Sequence, residues 1–175
     1  HEGLPGHHMQ ISIAQELEGI PKFRTQAGST AYSEGWALYS ERLADELNLY
    51  SRPLDRMGLL SDQGARAARM VIDTGIHTLG WSRTQAVDYM LNNCGWSRLD
   101  IENEINRYIS WPGQANAYML GMLELKRLRA LAEDQLGDGF DLKTFHRRVL
   151  ENGSVTLPMV QATILDWITT QKALD

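Results

Sequence analysis

Apolar residues recur along this chain at the three- and four-residue intervals that are typical of amphipathic helices. One such set follows Ser97 and comprises Ile101, Ile105, Tyr108 and Ile109. A second set follows Thr156 and comprises Val160, Ile164, Trp167 and Ile168. Ser97 and Thr156 are residue types that begin helices, and Pro158 is tolerated in a first helical turn. The two spacings therefore predict two helices.

The same pattern predicts further helices, separated by turn residues. A long one spans about Arg56 to Leu79, another runs from Ser82 to near Cys94, and a third carries Tyr118, Met122 and Leu125. Breaks are expected at Gly28–Ser29, Trp111–Gly113 and Gly137–Gly139. No stretch alternates as a strand does, so we predict an all-α protein whose residues 1–175 form a single unit.

Composition and charge narrow the class of protein. The 175 residues are 43% hydrophobic and 22% charged, which is ordinary for a globular domain. A formal net charge of −5 argues against a nucleic-acid-binding protein, and no apolar run approaches the roughly 20 residues of a membrane span. The single cysteine, Cys94, cannot form a disulfide within the chain, so it does not indicate the cellular compartment. Because the chain opens with His1 rather than Met, we expect a longer protein whose preceding segment is a partner of this one.

The first ten residues, HEGLPGHHMQ, hold a candidate metal motif. Three imidazoles (His1, His7 and His8) and the carboxylate of Glu2 suit a borderline-soft cation, above all Zn²⁺. The common zinc-protease helix places two histidines one turn apart, with a glutamate beside the first. Here His1 and His7 are six residues apart and Pro5–Gly6 interrupts any helix, so the two rings converge only if this segment bulges. The alternative is a histidine-rich loop without a metal.

A catalytic zinc ion needs a third protein ligand and an open fourth position. Glu34 is our candidate, on a helix that Ser29 or Thr30 begins. A glutamate on a helix is usually a surface residue, but Glu34 is followed by the apolar run 35–38. Glu41 lies on the same helical face, where it can orient a ligand through a hydrogen bond.

These segments resemble the bacterial family known as domain of unknown function 885, which is grouped with gluzincin-type zinc metallopeptidases. The resemblance covers nearly the whole chain, through the segments 1–10, 33–39, 71–77, 107–115, 140–142 and 145–146. It implies that the chain is the C-terminal part of a longer protein. It also implies the C-terminal helical half of a fold like that of thimet oligopeptidase and angiotensin-converting enzyme.

The resemblance also implies roles for individual residues. His1 matches the first zinc ligand and Glu2 the general base, while Gly6–His7 resembles the Gly-His end of the oligopeptidase zinc motif. We therefore prefer His7 to His8 as the second ligand. The segment 33–37 is similar to the Asn-Glu-Gly-Phe-Ala segment of aminopeptidase N relatives, which implies that Glu34 binds zinc.

Three further residues are candidates for contact with the substrate. Segment 113–118 resembles the helix that supplies a transition-state tyrosine in the oligopeptidases, which makes Tyr118 the first choice and Tyr108 the second as donor to an oxyanion. The alternative for both is packing in the core. His77 ends a polar stripe in which Asp73 can fix its tautomer, and the alternative is a solvated helix face. His146 is interpreted as structural.

The leading function is therefore a zinc-dependent peptidase that acts on short peptides. A zinc hydrolase of non-peptide amides or esters would use the same site. A non-catalytic helical module that binds a metal or a partner is the third hypothesis, and the presence of both Glu2 and Glu34 disfavours it. We expect the 175-residue piece by itself to be inactive, because a candidate ligand lies at its terminus.

Overall fold

The computed structural model describes residues 1–26 and 28–174, and its regular structure within them is helical. The helices are α1 (His7–Glu16), α2 (Phe23–Gln26), α3 (Thr30–Glu46), α4 (Pro53–Thr78), α5 (Arg83–Asn93), α6 (Arg98–Ser110), α7 (Gln114–Leu136), α8 (Leu142–Leu150) and α9 (Leu157–Lys172), with a short 3₁₀ helix at Gly137–Gly139. The described residues contain no strand, which confirms the all-α prediction. Similarity to the oligopeptidase folds stays a prediction.

The predicted helix starts are confirmed where a side chain caps the first turn. The Ser97 hydroxyl accepts a hydrogen bond from the Asp100 backbone N–H, and the Ser82 hydroxyl accepts one from the Gln85 N–H. Helix α9 follows Thr156, with a proline in its first turn. At the break after Trp111, Gly113 adopts a φ of +84°, a left-handed conformation that glycine reaches without steric cost.

Four helices differ from the sequence prediction, since α4 begins earlier than predicted and α1, α2 and α8 were not predicted. Helix α4 begins at Pro53, earlier than the predicted Arg56, because proline suits a first helical position. Helix α8 was not predicted. It begins after Asp141, whose carboxylate accepts from the Thr144 N–H, and it is too short to show several periods of its apolar pattern.

The chain divides into two compact units, the first formed by His1–Glu41 with Leu120–Asp175 and the second by Arg42–Met119. The predicted single unit over residues 1–175 stays a prediction. In the first unit, large side chains such as Trp36, Leu125 and Phe145 are fully buried. In the second, Ile72 of α4 shares a core with residues of α5 and α6.

The periodic positions that predicted α6 and α9 are buried with one exception. Ile101, Ile105 and Tyr108 are at most 1% exposed, whereas Ile109 is 41% exposed and lies outside the core. All four predicted positions of α9 are buried. Within the described residues, none of the helices combines the length and hydropathy that a bilayer crossing requires.

Candidate metal centre

The segment from His1 to His7 forms a closed backbone loop that brings its two ends together. The His7 N–H donates to the His1 carbonyl at 2.8 Å, and the His8 N–H donates to the Glu2 carbonyl at 3.0 Å. In a regular helix these bonds would join residues four apart, so the loop carries two extra residues and then re-enters helical pairing in α1. The segment therefore bulges, which was the condition for the two rings to converge. The imidazole rings of His1 and His7 lie edge to face with centroids 5.0 Å apart.

Two contacts fix this loop in place. A Cβ atom at Gly6 would lie only 1.8 Å from the His1 carbonyl oxygen, so the close approach requires glycine. The indole N–H of Trp36, a fully buried residue of α3, donates to the Pro5 carbonyl at 3.0 Å. The loop is therefore held to the helix that carries Glu34.

Helix α3 is itself positioned by a close contact between two backbones. A Cβ atom at Gly35 would lie 2.4 Å from Cα of Gly121 in α7, and one at Gly121 would lie 2.0 Å from the Ala31 carbonyl oxygen. Only glycine at both positions allows this separation. Glu34, next to Gly35, therefore has its backbone placed by the contact.

Three side chains converge on one point. Nε2 of His1 lies 3.5 Å from Oε2 of Glu34, and Nε2 of His7 lies 3.3 Å from the same oxygen. One donor atom from each of the three residues lies within 4.8 Å of the others. Ligands bound tetrahedrally to zinc at about 2.0–2.1 Å are separated by roughly 3.3–3.4 Å, so the two nitrogen–oxygen separations are close to those of a zinc site.

The other ring nitrogens of the two histidines have their own partners. Nδ1 of His1 lies 2.6 Å from a carboxylate oxygen of Glu41, and Nδ1 of His7 lies 3.4 Å from the amide oxygen of Gln10. Acceptors at Nδ1 favour the tautomer whose Nε2 lone pair is available to a metal ion. The hydrogen bond to Glu34 is the main cause that raises the pKa of His7.

The remaining residues of the motif lie outside this cluster. The side chains of Glu2 and His8 are exposed. The geometry thus brings together His1, His7 and Glu34, the set preferred from the sequence, and gives His8 no place in it. The general-base role of Glu2 stays a prediction.

The other candidate residues belong to the second unit. The Tyr118 hydroxyl accepts from the Gln114 side-chain amide at 3.2 Å. Tyr108 is 1% exposed, its hydroxyl is buried near the carboxylate of Glu104, and burial is the main cause that raises its pKa. A ring nitrogen of His77 donates to the Tyr108 carbonyl at 3.0 Å. Catalytic roles for these three residues stay predictions.

Asp73, which the sequence placed beside His77, has different partners. Its carboxylate accepts from the Gly113 N–H at 2.9 Å and from the Asn116 side-chain amide at 3.0 Å. The residue is 3% exposed. Asp73 therefore stabilises the turn that begins α7 rather than fixing a histidine tautomer.

Sequence reasoning missed Gln10, and the interpretation of His146 as structural stays a prediction. Gln10 is buried one helical turn after His7, and that spacing was the signal that could have identified it. His146 accepts or donates a 2.8 Å hydrogen bond with the Tyr39 hydroxyl and packs edge to face on Trp36. The structure gives it these packing contacts in the first unit.

Solved structures of other proteins are similar to this chain over most of its length. A protein described as a "putative lipoprotein" from Colwellia psychrerythraea has a solved structure that is 43% identical with a TM-score of 0.93, over 96% of this chain and 29% of its own. A second, described as a "putative lipoprotein of unknown function" from Shewanella oneidensis, is 26% identical with a TM-score of 0.85, over 93% of this chain and 30% of its own. This chain thus spans less than a third of either relative.

Among curated proteins, none matches the chain. One family does, and its description is a bacterial protein of unknown function (DUF885). The match extends over residues 1–164, which includes the loop, Glu34 and every helix except the end of α9. The chain therefore belongs to the bacterial DUF885 family.

Proposed function

We propose that the protein is a gluzincin-like zinc hydrolase that cleaves amide bonds in short peptides. The observation that carries the proposal is the convergence of Nε2 of His1 and Nε2 of His7 on Oε2 of Glu34, at 3.5 and 3.3 Å. Two imidazoles and one carboxylate are a common ligand set of catalytic zinc.

The surroundings of the cluster support a catalytic rather than a purely structural ion. Three protein ligands leave a fourth position for water or substrate. The side chains of His1, His7 and Glu34 are each 17–18% exposed, so the cluster is shielded but still accessible to solvent. Zinc bound there would polarise a carbonyl group and lower the pKa of a water molecule.

Glu2 is the residue proposed to move protons. It adjoins the first ligand in sequence, and its exposed carboxylate is accessible to water. As a general base it would accept a proton from the attacking water and then donate it to the leaving amine. Removing only its charge therefore separates catalysis from metal binding.

A cavity of the first unit offers space for a substrate next to Gln10, which contacts His7, and Ser33, which precedes Glu34 in sequence. It has a volume of ≈ 410 Å³ and is lined by residues that include Gln10, Tyr32 and Ser33. Gln10 contacts His7 through its amide oxygen, and its side-chain amide also interacts with the Tyr32 hydroxyl. The cavity therefore has polar groups that can bind a peptide, next to one of the candidate ligands.

The test uses the full-length protein with Glu2→Gln, and Glu18→Gln as the control because Glu18 is also an exposed glutamate of the first unit. We expect about one zinc ion per chain in all three proteins. We expect Glu2→Gln to lose peptide hydrolysis by roughly 10²- to 10⁴-fold and Glu18→Gln to retain it.

The substrates are a library of short peptides and a set of non-peptide amides and esters. Turnover confined to the second set would replace the peptidase by the other zinc hydrolase. Stoichiometric zinc without turnover of either set would favour the non-catalytic module. Near-parental turnover by Glu2→Gln would remove Glu2 from the mechanism.

A further inference from the structure

The second unit contains a buried arginine that lacks an acidic partner. Arg69 of α4 is 2% exposed, and it forms no ion pair with any residue in the described part of the chain. Its Nη2 donates to the Gln114 amide oxygen at 3.1 Å, while its Nε has no partner. Burying a guanidinium away from water without an anion costs free energy. An anionic partner for Arg69 is therefore expected.

Two tyrosine rings compensate part of that cost. The guanidinium carbon of Arg69 lies 4.3 Å from the ring centroid of Tyr118 and 5.0 Å from that of Tyr108. Such cation–π contacts are attractive, particularly when they are desolvated. They orient the guanidinium but supply no oxygen atoms to its N–H groups.

A second arginine shares this environment. The guanidinium carbon of Arg66 lies 5.1 Å from the same Tyr118 ring, and its Nε is also buried without a partner among the described residues. Arg66 and Arg69 are three residues apart on α4, so two like charges lie on one side of a helix and repel each other. An anion between or beside them would relieve this repulsion.

A cavity gives an anion access to both arginines. It has a volume of ≈ 330 Å³ and is lined by Arg66, Arg69, Trp96, Asp100, Asn103, Glu104, Arg107 and Tyr118. Three arginines and two carboxylates line it, so the lining has an excess of one positive charge. Glu104 pairs with Arg107 at 3.4 Å, and Asp100 accepts from the Ser97 hydroxyl at 2.6 Å, so neither carboxylate forms an ion pair with Arg66 or Arg69.

We propose that this cavity binds the oxyanion group of a small ligand, a carboxylate or a phosphate, through the guanidinium groups of Arg66 and Arg69. The planar fork of arginine matches two oxygens of such a group, and charge-assisted hydrogen bonds of this kind are short and strong. The volume is at the small end of ligand pockets, which fits a small acid or one end of a larger molecule. The inference does not depend on the metal centre.

The experiment is calorimetric titration of the full-length protein after zinc has been removed by dialysis against a chelator, so that the metal centre does not contribute. The probes are succinate, inorganic phosphate, and an N-acetylated dipeptide with either a free or an amidated C-terminus. Saturable binding with a dissociation constant below about 10 mM is expected for at least one anionic probe. Binding of the free dipeptide but not of its amide would identify a peptide C-terminus as the source of the carboxylate, and preference for phosphate would identify a phosphate ester.

Variants then test the two arginines. Arg66→Gln should weaken binding at least about tenfold, and Arg69→Lys should do so as well, because it keeps the charge but removes the fork. Arg98→Gln is the matched control, since Arg98 also carries one positive charge in the second unit but is exposed and paired with Glu102. Circular dichroism identifies any variant that has not folded. If replacing the buried Arg69 unfolds the chain, the Arg66→Gln variant still tests the site, because Arg66 is only half-buried.

The proposal is overturned if no anionic probe binds saturably. It is also overturned if Arg66→Gln and Arg98→Gln weaken binding equally, because the effect would then reflect net charge rather than a site. Neither result bears on the proposed zinc hydrolase. Conversely, a failure to find zinc or turnover would not bear on the proposed anion site.

Discussion

The loop that joins His1 to His7 gives the most direct test of the candidate metal centre. A Cβ atom at Gly6 would lie 1.8 Å from the His1 carbonyl oxygen and 2.5 Å from its carbonyl carbon. Gly6→Ala therefore places a methyl group where backbone already lies, and no rotamer can relieve the clash. The same carbonyl oxygen accepts the hydrogen bond that closes the loop.

The size of the required movement follows from ordinary contact distances. A carbon and a carbonyl oxygen that are not bonded stay roughly 3.3 Å apart, so the His1 backbone must move by about 1.5 Å. Zinc ligands must keep their distances to within roughly 0.2 Å. We therefore expect Gly6→Ala to weaken zinc binding at least about 100-fold, beyond what the loss of a supporting hydrogen bond would cause.

Chelator competition and metal analysis of the full-length protein measure this effect. Gly3→Ala is the matched control, because it lies in the same loop and a Cβ atom there would meet nothing within 4 Å. It should bind zinc as the parent does, and both variants should retain their helical circular dichroism. Parental zinc affinity in Gly6→Ala would show that the closed loop is not what brings His1 to the site.

Three further predictions concern single side chains, all measured on the full-length protein. His7→Ala should abolish stoichiometric zinc and His8→Ala should leave it unchanged, because only the first ring lies in the cluster; metal analysis showing the reverse would exchange the two assignments. Glu41→Gln should weaken zinc binding roughly 10- to 100-fold in chelator competition, since it removes the charged acceptor of a candidate ligand, and unchanged affinity would exclude that role. Tyr118→Phe should lower kcat roughly 10²- to 10³-fold with KM and zinc content nearly unchanged, as expected for a hydroxyl that donates only in the transition state; a parental kcat would transfer the role to Tyr108 or His77.

Most helices could be predicted from the sequence because their signals are local. Ser82 and Ser97 satisfy backbone N–H groups three residues away, so the capping residue and its partner lie together in the sequence. The apolar spacing of α9 predicts that helix for the same reason, because the residues that form its buried face lie close together in the sequence. Ile109 shows the limit, since its spacing fits the buried face of α6 and only packing leaves it exposed.

The ligand types could also be predicted, but their convergence could not. The spacing of His1 and His7 allowed either a bulge or an open loop, because the outcome depends on hydrogen bonds formed across six residues and on the distant indole of Trp36. The partner of Asp73 was misassigned for a similar reason. A histidine one turn away was the obvious neighbour, whereas the actual donors, at Gly113 and Asn116, lie on another element.

The position of Glu34 depends on information that lies in no single segment. Considered alone, Gly35 is expected to weaken α3, and Gly121 is expected to weaken α7. Together they let the two backbones approach to a distance that a Cβ atom on either would prevent. Each glycine therefore lowers the stability of its own helix. It helps to position Glu34 only because the facing residue is also glycine. The carboxylate of Glu34 reaches the two imidazoles because this contact places its backbone, and a side chain at either glycine would displace it even though the ligands themselves were intact.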